Sequence, residues 1–284
     1  MIGQKLRIGV IVAIVLGSIG VGAGIYQLAV KDRETKAEMD QIKKEIAQRR
    51  DTLTFKNMAE FDTAVEASVN RFIMKKQQDE VKSKFALFSS APEKTDGKHI
   101  YGDMDARFTL VEFSDLECGY CKQFHDTPKK IVDSSKGNVN WQWKHMPLDF
   151  HNPAAYKQAV AAECIAEQKG NRGFWVFLSD VFEHTQGNGR GVQDLAALVS
   201  GVGADINVFR ACLASGKYDE QVKADIQKAK ENGVNGTPAT FVVDNITGHT
   251  QLLGGAQPPQ AIMAVMRKMM VESQQEDDGA SNNQ

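Results

Sequence analysis

Cys118 and Cys121, in "EFSDLECGYCKQFH" (residues 112–125), are the residues of this chain best placed to do chemistry. Two cysteines with two residues between them can cycle between dithiol and disulfide, supply half of a soft-metal site, or pack as small apolar groups. Their surroundings separate these readings. Residues 108–113 ("FTLVEF") read as a strand and residues 120 to about 134 as a helix, so Cys118 falls where strand turns into helix. A sulfur there meets the unpaired N–H groups of the first helical turn and the positive end of the helix dipole. Both favour thiolate, below the ordinary thiol value of about 8.5. Cys118 is therefore the expected nucleophile. Cys121 lies one turn deeper, where it can attack a mixed disulfide and release the substrate. The rival from another chemical class is a metal site built from Cys118, Cys121 and His125. No second Cys/His cluster in the sequence completes a four-coordinate set for it. Covalent haem attachment needs histidine directly after the second cysteine, and Lys122 stands there.

The second element is "GVNGTPATFVV" (residues 233–243). Thr237 and Pro238 precede a strand and follow a glycine-rich turn, a setting that suits a cis X-Pro bond. Of the histidines, His125 is expected at the surface or as a helix cap. His145 and His151 flank a turn without a visible metal partner. Trp141 and Trp143 alternate on a strand and are expected to share one face of a sheet.

These residues need a scaffold, and the order of elements supplies one. Strand 108–113, helix 120–134 and strand 139–146 make a βαβ unit, with the domain starting near residue 100. Helical patterns fill residues 153 to about 232 without an obvious strand. A strand (239–244), the turn "NITG", a strand (250–253) and a helix from 258 to about 272 then close the domain, followed by an acidic tail, residues 274–284, expected to be disordered.

Upstream, residues 8–30 carry no charge, and about 23 residues at about 1.5 Å each reach across a bilayer core of about 30 Å. Lys5 and Arg7 precede the run, so the rest of the chain is expected outside the cytoplasm, with residues 1–30 as an anchor and a cleaved signal peptide as the alternative. Residues 31–88 read as a helical stalk or dimerisation segment, with Phe61, Val65, Val69 and Phe72 on one face that needs a partner. Residues 89–99, "SSAPEKTDGKH", read as a linker. Of the four cysteines, Cys164 and Cys212 remain after the Cys-x-x-Cys pair. In an oxidising compartment the even count suggests that they bridge each other structurally, with free buried thiols as the alternative. A net charge of -2, spread along the chain, argues against nucleic acid as the main partner.

The stretches "VEFSDLECGYCKQFH", "KHMPLDFHNPAAYKQAVAAECIAEQKG" and "CLASGKYDEQVKADIQKAKENGVNGTPATFVV" resemble the DsbA-like family of thiol-disulfide oxidoreductases over residues 100 to about 271, within a domain expected at 100–273. The resemblance implies an α/β thioredoxin fold with an inserted helical domain at about 153–232. It implies redox chemistry carried by the cysteines themselves, with no cofactor. Position by position, Cys118 resembles the attacking cysteine and Cys121 the resolving one. Gly119 and Tyr120 occupy the dipeptide that tunes the potential, and Thr237 and Pro238 the substrate-binding cis-proline loop. Glu112 matches a buried acid that assists proton transfer, for which Lys144 is a candidate charge partner. The Gly-Tyr dipeptide and the Thr before proline look more like the DsbP-type dimeric isomerases than the strong oxidases. The expected protein is thus a periplasmic, membrane-tethered, homodimeric disulfide isomerase acting on exported cysteine-containing proteins and kept reduced by a membrane redox partner. A monomeric dithiol oxidase recharged by such a partner, soluble in the periplasm if the N-terminal segment is cleaved, is the alternative within the class. A redox-silent assembly protein working through its N-terminal helices is a further one.

Overall fold

The computed structural model describes residues 36–37, 39–45 and 55–281. The residues expected to form the anchor lie outside them, and no helix among the described residues is long and apolar enough to cross a membrane. The chain divides into two units, residues 1–69 and 70–284. In the first, residues 39–45 are helical and helix α1 (Met58–Ala86) begins; α1 buries none of its residues, and Phe61, Val65 and Val69 are exposed.

The second unit is built on a five-stranded sheet: β1 (His99–Tyr101), β2 (Phe108–Ser114), β3 (Val139–His145), β4 (Ala239–Asp244) and β5 (Thr250–Gly254), in the order β1-β3-β2-β4-β5. β2 and β3 run parallel, and the other three pairings are antiparallel. Strand side chains alternate between faces. Register sets Leu110 opposite Trp141, and Glu112 between Trp143 and Thr240. That face carries the larger core, with Trp141, Trp143 and Trp175 fully buried. Phe113 lies on the other face in a smaller cluster with Met146, Ala229 and Val234.

Between β2 and β3 run α2 (Gly119–Phe124) and α3 (Asp126–Ser134), where the sequence suggests one helix. Pro128 explains the break: it has no N–H to offer the carbonyl of Phe124, and its ring crowds that turn. After β3, a 3-10 turn (Asp149–His151) leads into α4 (Ala154–His184), interrupted at Gly170, whose φ of 68° lies in the left-handed region. α5 (Leu195–Gly201), α6 (Ile206–Ser215) and α7 (Asp219–Glu231) complete the helical insertion, in which Cys164 of α4 is disulfide-bonded to Cys212 of α6. α8 (Pro259–Ser281) closes the chain.

Two expectations differ from what forms. The 89–99 segment read as a linker is seated on the domain: Ala91 is in the core, the Gly102 N–H donates to the Ser90 carbonyl, and His99 opens β1. The closing helix also runs to Ser281, through much of the segment expected to be a disordered tail, which contains no proline to break it.

Candidate active site

β2 delivers the chain into "SDLECGYC" at the end of the central strand. The Asp115 carbonyl accepts from the Cys118 N–H at 3.1 Å, which closes a turn and starts α2 with Cys118 as its N-terminal cap. Both cysteines are free thiols. Cys118 keeps 7 % of its surface exposed and Cys121 none. Cys118 Sγ lies 3.5 Å from the Thr237 carbonyl oxygen, across a Thr237-Pro238 peptide that is cis, so β2 and β4 bring together the two motifs that the sequence holds far apart.

The two sulfurs are electrostatically unequal. Cys118 is lowered from 9.0 to about 5, chiefly because the Cys121 thiol donates to it; burial opposes, while the Cys121 N–H, Thr237 and the Tyr120 N–H add to the lowering. Cys121 is pushed well above 9.0, first by burial, then by the Cys118 sulfur and the Glu112 charge. The Asp115 N–H donates to its Sγ at 3.5 Å. At neutral pH this pair is therefore one thiolate facing outward and one protonated thiol behind it. Tyr120 is two-thirds exposed at 67 % and Gly119 has open space around it, so the dipeptide leaves the outer sulfur approachable.

Glu112 is fully buried, and neither carboxyl oxygen has a hydrogen-bond partner among the described residues. Burial raises it from 4.5 to about 7, with Ser114 and Trp141 pulling the other way. An acid that ionises near neutrality, within electrostatic reach of a protonated Cys121, can take or return that thiol's proton. Lys144 is not its charge partner. It is the residue after Trp143, so it points to the opposite face and binds Asp225 of α7, Nζ to Oδ1, at 2.7 Å.

His125 is likewise not at the surface. It joins α2 to α3 but is buried against Trp141, Trp143 and Phe182, with ring centroids 4.9 Å away for Phe182, and burial lowers it from 6.5 to about 4. Among the described residues no group of three His, Cys, Asp or Glu side chains could hold a metal ion, so the metal reading of Cys118, Cys121 and His125 finds no support. His145 and His151 are instead paired with carboxylates: Nε2 of His145 with Glu163 at 3.0 Å and Nδ1 of His151 with Asp115 at 2.7 Å.

Two site residues escape a reading of the sequence. Asp115 is fully enclosed, and its carboxylate accepts from the Glu117 N–H at 2.7 Å and the Leu148 N–H at 2.9 Å as well as from His151. Glu117, next to Cys118, is also buried, and its carboxylate accepts from Gln158 Nε2 at 2.7 Å, the Gly191 N–H at 2.9 Å and the Thr185 hydroxyl. Acids in a short polar stretch look like solvated loop residues. The one available signal is that three of them, at 112, 115 and 117, crowd the approach to Cys118.

The geometry has counterparts in known proteins. The thioredoxin family model matches residues 94–253, more than half of the chain. DsbA2 of Pseudomonas aeruginosa is 31 % identical, with a TM-score of 0.56 over 62 % of this chain and 96 % of that one. BdbD of Bacillus subtilis, in its oxidised form, is 24 % identical and shares the fold, with a TM-score of 0.52 over 63 % of this chain and 96 % of that one. A Na(+)/H(+) antiporter, NhaA 1 of Salinispora arenicola, is 31 % identical over 151 residues, which are 53 % of this chain and 22 % of the antiporter, so this chain spans under a quarter of the length of the curated relatives it matches. With two free cysteines at the end of the central strand and a cis-proline loop facing the outer one, the chain belongs to the thioredoxin family and is DsbA-like within it.

Proposed function

We propose that this chain exchanges disulfides with exported, cysteine-containing proteins in the periplasm, and that its principal direction is donation. The observation that carries this is the inequality of Cys118 and Cys121. A stabilised Cys118 thiolate is a good leaving group and favours the reduced form, which makes the disulfide form an oxidant. A substrate thiolate attacks Sγ of Cys118 in the Cys118–Cys121 disulfide; the new S–S bond joins substrate to Cys118, and Cys121 leaves as thiolate, taking a proton from Glu112. A second substrate thiolate then attacks the substrate sulfur of the mixed disulfide and releases Cys118 as thiolate. The substrate loses two electrons and the cysteine pair gains them, to be passed to a membrane redox partner. Thr237 and Pro238 line the path of the substrate, and the N-terminal segment tethers the enzyme.

Isomerisation is the second reading, favoured by the exposed Phe61, Val65 and Val69 of α1. Such a row suits pairing of two chains, and two Cys118 sites held reduced would reshuffle wrong disulfides. The domain limits expected from sequence, 31–88 for pairing and 100–273 for catalysis, belong to this reading. Acid-trapping the full chain in cells separates the two: a mostly oxidised Cys118–Cys121 pair supports donation, and a mostly reduced pair in a dimer supports isomerisation. The roles themselves are tested by Cys118→Ser, which should abolish exchange, and Cys121→Ser, which should accumulate mixed disulfide. Alkylation of Cys121 ahead of Cys118 at mildly acidic pH would refute the assignment.

A further inference from the structure

Beside Cys118 lies a groove of about 170 Å³, lined by Glu117, Cys118, Gly119 and Lys122 on one side and by residues 185–188 on the other. The second wall is the segment between α4 and α5, which belongs to the helical insertion and closes on itself as a turn: an isolated bridge joins Thr185 to Val192, and the Gln186 N–H donates to the Gly191 carbonyl at 3.0 Å. What ties this turn to the Cys118 side of the groove is Glu117. The Thr185 hydroxyl and the Gly191 N–H, at the two ends of the segment, both donate to the Glu117 carboxylate, and the Asn188 N–H at its middle donates to the Glu117 carbonyl at 2.9 Å. Gln158 of α4 donates to the same carboxylate at 2.7 Å. Gly187 and Gly189 let the segment sit this close: both have positive φ, and a Cβ on Gly189 would meet the His151 backbone at 3.2 Å. Gln186 and Asn188 are left exposed at the groove.

We propose that Glu117 is a positioning residue that hangs this segment beside the reactive sulfur as a specificity wall for polypeptide substrates. A buried carboxylate with three donors, two of them from this segment, is a strong anchor, and its place immediately before Cys118 ties the wall to the nucleophile. The groove rim carries the Gln186 and Asn188 amides and the Lys122 ammonium, so it suits polar residues flanking the cysteine of an extended polypeptide. A small dithiol touches the sulfur and has no use for the wall. The inference rests on Cys118 being the sulfur at which substrates enter.

The test uses the oxidised full chain with two reductants, dithiothreitol and a reduced two-cysteine peptide of about ten residues, long enough at about 3.3 Å per residue to lie along the groove. Glu117→Gln places an amide where donors point, and Thr185→Val removes one donor to the carboxylate, together with the acceptor of the Gly187 N–H, and leaves the Gln158 and Gly191 bonds to Glu117 in place. In both variants the ratio of kcat/KM for the peptide to that for dithiothreitol should fall at least about tenfold, the equivalent of one charge-assisted hydrogen bond, through the KM for the peptide. An unchanged ratio, whether both rates fall together or neither moves, overturns the proposal. If Glu117→Gln does not fold, Thr185→Val decides. Wild-type protein that oxidises neither reductant overturns the exchange reading, and this proposal with it.

Discussion

Replacing Glu112 by glutamine should change how stability depends on pH, with a sign opposite to that of most acids. In the folded chain burial holds the carboxyl protonated up to about pH 7, whereas the unfolded chain releases the proton near 4.5. A group whose folded value is raised contributes its stability fully below the unfolded value and loses it as pH rises through the folded one. At about 1.4 kcal/mol per pH unit, the gap between 4.5 and about 7 amounts to about 3 kcal/mol. Burial outweighs the opposing pull of Ser114 and Trp141, and neither oxygen has a hydrogen-bond partner among the described residues, so the buried charge stays costly. Denaturant unfolding of the reduced chain at pH 4.5 and pH 8 measures it. Between those values wild type should lose about 3 kcal/mol relative to Glu112→Gln. Cys118 titrates in both proteins and cancels in the difference. On the role proposed for Glu112, the resolution of mixed disulfides by Cys121 should also lose an inflection near pH 7 in the variant. Parallel stability curves for the two proteins would refute the argument, because they would mean that Glu112 ionises alike in the folded and unfolded chains.

His125 predicts the mirror image. Its folded value of about 4 lies below 6.5, so as pH falls from 7 to 4 wild type should lose about 3 kcal/mol relative to His125→Phe, which keeps the aromatic packing; the same unfolding assay reads it. Replacing both Cys164 and Cys212 by alanine frees a closed loop with a sequence separation of 48 and should cost about 4 kcal/mol in the chain-entropy model, seen as a lower denaturation midpoint with Cys118 reactivity preserved.

How much of this is visible in the sequence depends on the range of the interaction. The βαβ start, the long strand-free region and the ββα ending follow from local periodicity, and the two cysteines and Thr237-Pro238 follow from short motifs. His125 does not. Its neighbours are Asp126 and Lys122, which suggest a solvated turn, and only the packing of Trp141, Trp143 and Phe182 over it makes the place interior. Lys144 fails for a related reason: sequence offers a cation near an acid, while register decides which face each occupies, and one residue of offset sends Lys144 to Asp225. The distant partners of Asp115 and Glu117 lie 33 or more residues away, from Leu148 and His151 to Gln158, Thr185 and Gly191, so no local pattern marks them.

The place of β2 in the sheet has a consequence for which side of the groove can yield. With β3 along one edge and β4 along the other, the β2 backbone is bonded on both sides, and its amides can reach solvent only when a flanking strand is pulled away. Deuterium should therefore enter β2 among the last places in the domain, by whole-domain opening, while the 185–191 wall, a short turn tied to the site through the Glu117 carboxylate and carbonyl, exchanges through local fluctuation. The reactive sulfur is mounted on the slow-exchanging side, so an arriving polypeptide is accommodated by the wall moving toward a fixed cysteine.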